Sequence, residues 1–277
     1  MSWRERARVA WGGEGGGREV AILAYPLILG HLSFTIQTFV DRLFLTWYSP
    51  EAVAGAVTGL FAVWAIIALF TGTGEYLTTF VAQYLGAGRE ERIGPALWQG
   101  VYFSLGAGAF VAALIPLVTH AFDLAGHAPA LRTYEVDYAR ALMLGAFPVI
   151  LMATLSTFFA GRGQTQAVLR VNVLATVVNV VFDYLLIFGN LGFPEMGVTG
   201  AALASSIATL LGFVFLLACF LLGVGQSTRA IPRLAWAELG QMLKIGIPSG
   251  LNWFVEFTAF SFFVNVVVAG LGTSALA

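Results

Sequence analysis

Charge is what this sequence has least of. Asp, Glu, Lys and Arg make up 10% of its 277 residues, against about 25% in an ordinary soluble domain, too few to solvate a globular surface. Lys244 is the sole lysine and Cys219 the sole cysteine. One cysteine in an apolar run excludes an intrachain disulfide and a thiolate metal cluster. A net charge of −1 and a pI of 6.3 give no basic face for nucleic acid. The glycine-rich "GAGR" at 86–89 has no Lys-Ser/Thr after it and no strand before it, so it is not a phosphate loop. The start, "MSWRERARVAWGGEGGG", is basic but lacks the apolar core and small-residue cleavage site of a signal peptide. Residues 1–19 read as a flexible cytoplasmic tail.

Apolar residues are plentiful: 58% of the chain is hydrophobic, with a mean hydropathy of +0.84. They come in stretches of about 20 or more, enough to cross about 30 Å of hydrocarbon as helix. The fold class is therefore all-α integral membrane. Seven spans are expected, at 20–46, 54–85, 96–121, 138–161, 168–189, 198–223 and 241–269. Breaker-rich loops such as "YSPEA", "GAGREERIGP" and "GNLGFPEMG" divide them. Arg4, Arg6, Arg8, Arg18, Arg89, Arg92, Arg162, Arg170, Arg229, Arg233 and Lys244 fall on one side, and only Arg132 and Arg140 on the other. The positive-inside rule puts the N-terminus in the cytoplasm. This orientation and the place of Lys244, at the cytoplasmic start of the seventh span, exclude a seven-helix receptor or retinal protein.

The first and seventh spans resemble each other weakly: Pro26 and Pro248 lie near their starts, and "EAVAG" and "SALA" follow their ends. Six spans apart, the two run in the same direction, as in a parallel repeat. The chain then divides into a tail at 1–19, a six-helix lobe at 20–223, a cytoplasmic linker at 224–240 and the start of a second lobe at 241–277. It reads as a fragment of a protein of about twelve spans.

Five charged residues lie well inside the spans: Asp41, Arg42, Glu75, Asp183 and Glu256. Charge at membrane depth is costly, about 2.5–3.5 kcal/mol on insertion scales, and marks a functional site by default. Asp41 lies about five residues before the end of the first span and Asp183 about six before the end of the fifth. At 1.5 Å per residue both sit roughly 8–9 Å below the outer boundary. Gln37 and Asn179 each precede an aspartate by one helical turn, on the same face. Two carboxylates and two amides at this depth make an oxygen-rich site. It suits Na+ as a hard cation, and it suits H+ because two carboxylates in a dry site favour holding a proton. A hydrogen-bonded clamp between the first and fifth spans is the alternative.

Other positions stay open. Glu75 is either a third cavity acid or a partner of Arg42, which itself reads as snorkelling to the outer interface. His31 is an interhelical contact or a proton relay; His120 and His127 show no ligand spacing. Trp47 and Tyr48 read as interfacial belt residues. Phe34, Phe39, Phe158, Phe182 and Trp253 either line a cavity for flat cations or face lipid. Gly72, Gly74, Gly106 and Gly108 read as sites of close helix packing.

Taken in order, "FVDRLFL", "VAQYLGAGR", "FFAGRGQTQ", "NVVFDYLLIFG", "GVTGAALAS" and "LKIGIPSGLNWFVE" make residues 20–277 resemble the multidrug and toxic compound extrusion (MATE) transporters. The resemblance implies a two-lobed, twelve-helix secondary antiporter of the cytoplasmic or inner membrane, not an enzyme. It would export organic, mostly cationic, compounds against Na+ or H+ entry, working as a monomer in the bilayer with no cofactor beyond the coupling ion. The resemblance assigns Asp41, Asn179 and Asp183 to the cation site, and Glu256 to the cation and substrate cavity of the second lobe. A lipid-linked oligosaccharide flippase of the same superfamily is the alternative within transport. A receptor or membrane enzyme using the acids is the alternative outside it; for an intramembrane aspartyl protease, the expected Tyr-Asp and Gly-x-Gly-Asp motifs are missing.

Overall fold

The computed structural model describes residues 10–12, 16–223 and 233–268, and the regular structure among them is helical throughout. The expected tail, linker and chain end lie wholly or partly outside these residues. The helices are α1 (Gly17–Tyr48), α2 (Pro50–Glu75), α3 (Leu77–Gly86), α4 (Ile93–Ala113), α5 (Val118–Ala125) and α6 (Pro129–Leu144). They continue with α7 (Ala146–Gly161), α8 (Thr165–Phe188), α9 (Gly197–Gly223) and α10 (Trp236–Phe262).

Five stretches are long and apolar enough to cross a membrane, and α6 with α7, bent by 46°, makes a sixth. The expected seventh span is present as α10 but is not among these stretches; Ser249, Asn252 and Glu256 interrupt its apolar run. The fourth expected span begins nine residues earlier than hydropathy placed it, at Pro129 rather than 138. Arg132, Glu135, Asp137 and Arg140 lower the mean hydropathy there, while Pro129 fits the first helical position because its missing N–H has no intrahelical partner to lose.

Local chemistry sets the joints. Ser49 caps α2 by accepting from the Ala52 N–H at 3.3 Å, and its hydroxyl donates to Glu51 Oε2 at 2.7 Å. Pro50 follows at the first position of α2. α8 stops at Gly189, whose φ of 68° is the left-handed conformation that costs glycine little. α2 breaks from α3 at Tyr76, which leaves Glu75 as the last residue of its helix.

Packing divides the apolar interior in two. One cluster, around Leu45, Val53, Ala139, Ile150 and Ile187, lies toward the end where α1 meets α2. The other, around Leu77, Val81, Ile93, Phe158 and Leu216, lies toward the arginine-rich end. α1 lies mainly along α8 and only lightly against α2, so a gap opens between the α1–α8 pair and α2 with α7. At the arginine-rich end Gln99 of α4, 1% exposed, grips the segment before α10. Its Nε2 donates to the Arg233 carbonyl at 2.9 Å, and its Oε1 accepts from the Ala235 N–H at 3.0 Å.

α10 lies along α2, and the crossing is made by glycine. A Cβ on Gly246 would stand 2.7 Å from the Thr73 carbonyl oxygen, one on Gly72 would stand 3.1 Å from Gly250 Cα, and one on Gly250 would collide with the Leu69 carbonyl and Thr73 Oγ1. Gly246 and Gly250 form the small-xxx-small pattern that lets helix backbones approach. We expect Gly250→Ala to lower the thermal midpoint in detergent, by a destabilisation of about 1–3 kcal/mol from overpacking. Gly106→Ala, where a Cβ meets nothing within 4 Å, should stay within about 0.5 kcal/mol of the parent. Equal midpoints for the two variants would contradict the close crossing.

Candidate functional site

Asp41 on α1 and Asn179 and Asp183 on α8 meet in one place. Asn179 and Asp183 are both 0% exposed. The Asp41 and Asp183 carboxyls stand within hydrogen-bonding reach of each other, and Ser205 of α9 reaches Asp41. Two carboxyls this near each other in largely apolar surroundings are stable together only with a proton or a cation between them, because two bare charges there repel with little solvent to screen them.

The Asn179 amide bridges the two acids and Ser205. With its nitrogen toward the acids, it donates to Asp41 Oδ1 at 2.9 Å and Asp183 Oδ2 at 3.1 Å. Its oxygen then accepts from Ser205 Oγ at 3.2 Å and the Ser205 N–H at 3.3 Å. Asp183 Oδ1 is buried with no hydrogen-bond partner in the described residues, so the cluster keeps an unused acceptor.

A small cavity of ≈ 80 Å³ reaches this cluster, lined by Gln37, Asp41, Arg42, Tyr138 and Ser205 among others. With about 30 Å³ per liquid water, it holds an ion and one or two waters and no drug-sized molecule. A larger one of ≈ 540 Å³ continues toward the arginine-rich end. Phe34, Gln37 and Trp64 line both cavities, with Phe34 and Trp64 edge to face at 6.1 Å. His31, Glu75 and Trp253 line the larger one alone.

The expected residues thus part company. Asp41 lines the small cavity with Asn179 and Asp183 behind it, Gln37 and Phe34 line both cavities, and Glu75 and Trp253 line the large one alone. Glu256 is exposed on α10 and lines neither. Arg42 lines the small cavity beside Asp41 and makes no ion pair with Glu75 among the described residues. Phe158 is core, at 0% exposure, packed edge to face on Phe159 and Phe220. Phe39 is 65% exposed, and Phe182 lines neither cavity.

Other residues were not foreseen. Ser205 sat unnoticed in a run of small residues, and Tyr138 fell at the edge of its expected span. Glu135, 0% exposed on α6, bonds Thr58 Oγ1 at 2.7 Å and His127 Nδ1 at 2.6 Å. The stripe Leu131, Glu135, Tyr138 and Leu142, all buried at helical spacing, was the signal that these charges belong to a helix.

Known proteins carry the same arrangement of sequence. The chain is 25% identical over 253 residues to a probable multidrug resistance protein NorM of Thermotoga maritima, matching 91% of this chain and 54% of that one. It is 29% identical over 264 residues to the probable NorM of Listeria monocytogenes, matching 91% and 56%. The chain thus spans about half the length of the curated relatives it matches. In fold it is similar to an outward-facing multidrug resistance MATE family transporter of the MOP superfamily, with a TM-score of 0.78 at 24% identity over 88% of this chain and 54% of that one. Residues 26–185, from Pro26 inside the Asp41 helix to just beyond Asp183, match MatE as one block, and the chain belongs to that family.

Proposed function

We propose that the chain carries the ion-coupling part of a secondary antiporter that exports organic cations in exchange for Na+ or H+. The observation that carries this reading is the meeting of Asp41 with the buried Asn179 and Asp183 beside a cavity of ≈ 80 Å³, too small for cargo and suited to an ion. The names of the relatives, probable multidrug resistance proteins, supply the class of cargo. In this reading residues 20–223 form one lobe, 224–240 a cytoplasmic linker and 241–277 the start of a second lobe, and Glu256 serves the second lobe's cavity. The whole protein lies in the cell membrane as a monomer with its N-terminus in the cytoplasm.

Export is driven only if the ion binds the two conformations with different affinity. The acid cluster provides this: with the ion present the carboxyls and Asn179 hold α1 against α8, and without it their repulsion weakens that contact. Asp41→Asn and Asp183→Asn keep the volume and remove the charge. Each should insert normally and lose at least about tenfold in gradient-driven efflux of a fluorescent cation from vesicles holding the full-length protein, the equivalent of about 1.4 kcal/mol of coupling. Undiminished efflux by both variants would reduce the cluster to a helix clamp. Glu256→Gln should weaken efflux without loss of insertion, and parental efflux would make Glu256 a structural contact.

Orientation has its own check. On a Cys219→Ala background, Leu124→Cys should react with an impermeant thiol reagent added outside intact cells, and Glu14→Cys should not. The reverse pattern would invert the topology.

A further inference from the structure

A third recess lies apart from both cavities, between the segment after α4, the second half of α6 and the start of α9. It is a groove of ≈ 500 Å³, lined by Ile115, Leu144 and Leu203 among others, with Asp137 and Arg140 on its α6 wall. Its depth follows from helix length, since about 20 helical residues cross the hydrocarbon. Counted from the ends nearest the arginine-rich loops, at Ile93, Gly161 and Gly223, that length leads to about Ala113, Ala141 and Leu203. The groove therefore straddles the opposite membrane boundary. Its flank is apolar and uncovered, with Leu117 and Leu144 58% and 62% exposed, and α10 lines no part of it.

Asp137 and Arg140 are the only charged residues lining the groove. They stand one helical turn apart, yet they form no ion pair with each other. Asp137 has neither a hydrogen bond nor an ion pair among the described residues. Arg140 donates from Nη2 to Thr119 Oγ1 at 2.7 Å and meets no acid among them. Arg132, the other arginine at this end, has Asp123 for a partner.

The order of these side chains along α6 is informative. Moving out from the bilayer centre come Leu144, then Arg140, then Asp137, each about one turn, 4.5–6 Å, beyond the last. That is an apolar contact, a site for an anion and a site for a cation, in the order in which a phospholipid presents acyl chain, phosphate and ammonium. A guanidinium takes a phosphate through two parallel N–H···O bonds, and a carboxylate accepts from the N–H groups of a primary ammonium. A choline headgroup has no N–H to give Asp137, and a glycerol headgroup brings it no cation. We infer that the groove binds one phospholipid of the ethanolamine type, its phosphate on Arg140, its ammonium on Asp137 and its chains over Leu144 and Leu203. The orientation proposed above makes this a lipid of the outer leaflet; the recognition chemistry does not depend on that orientation. Tyr138 and Leu142, on another face of the same turns of α6, line the small cavity, so the lipid braces a wall of the ion site without entering it.

The test is native mass spectrometry of the purified full-length protein, offered equal amounts of phosphatidylethanolamine, phosphatidylcholine and phosphatidylglycerol with identical chains. The parent should retain the ethanolamine lipid at least about tenfold over the other two, the scale of a charge-assisted contact. Arg140→Gln should lower that retention at least about tenfold, and Asp137→Asn should level ethanolamine with choline. Arg132→Gln, whose arginine already has a partner, should keep the parental preference. In the unmodified protein, a phosphatidylethanolamine with a photoreactive group near its glycerol should crosslink to the segments around Ile115, Leu144 and Leu203, whether or not any variant folds. Glycerophosphoethanolamine, the same headgroup without chains, should not displace the lipid at equal concentration. Equal retention of the three lipids by the parent, parental retention in Arg140→Gln, or crosslinks confined to other helices would each overturn the inference. Displacement by the chainless headgroup would also overturn it, leaving a site for small soluble phosphates.

Discussion

Burying Asp183 and Asn179 completely, with the Asp41 carboxyl against them, is the constraint on which the arrangement turns. An uncompensated carboxylate in such a place costs several kcal/mol, so α1 and α8 are held to one mutual register. The contacts along the pair keep that register. Gly30 leaves no room for a Cβ against the Asn172 amide, Thr176 Oγ1 donates to the Ser33 carbonyl at 3.2 Å, and Asp41 meets Asp183 about two turns further on. The two helices therefore behave as one parallel unit. Because α1 leans on α8, it stands off from α2 and α7, and the open space follows from that.

That space is graded in size. Its narrow part holds Asp41 and Arg42, and its wide part holds Glu75 and His31, each among apolar and hydroxylic side chains. A difference between ≈ 80 and ≈ 540 Å³ separates the two kinds of occupant without help from chemistry. Phe34 stands between them on α1, two turns from Asp41, so movement of the α1–α8 unit carries the partition with it.

Much of this was legible before any coordinates. Asp41, Asn179 and Asp183 announced themselves because a carboxylate in an apolar run is costly, and the shared depth of the two aspartates followed from helical rise alone. Their meeting needed only that the two spans run the same way. Glu75 was visible as a charge but not as a role, since pairing with Arg42 and facing a cavity leave the same trace in sequence. Arg42 turning toward Asp41 was a matter of rotation about α1 that no hydropathy pattern encodes. Ser205 was hidden by its ordinary surroundings: a serine costs little in a helix, so it carries no penalty to notice. Averaging over a window hid the first turns of α6, where Glu135 is buried among residues that look like a loop. Glu256, equally costly by its position in sequence, lines neither cavity, so cost alone does not say where a charge is used.

The crossing of α2 and α10 has a mechanical side. Most helix pairs interlock through side-chain ridges that fix their angle. Where Gly72, Gly246 and Gly250 bring backbone onto backbone, the ridges are missing, and the ring pairs Trp64–Phe257 and Phe61–Phe260 further along the two helices take their place in fixing the angle. Trp253 already lies against Gly72, so a shift along the axis drives its ring onto backbone. Gln99, holding the chain just before α10, fixes the other end of that helix.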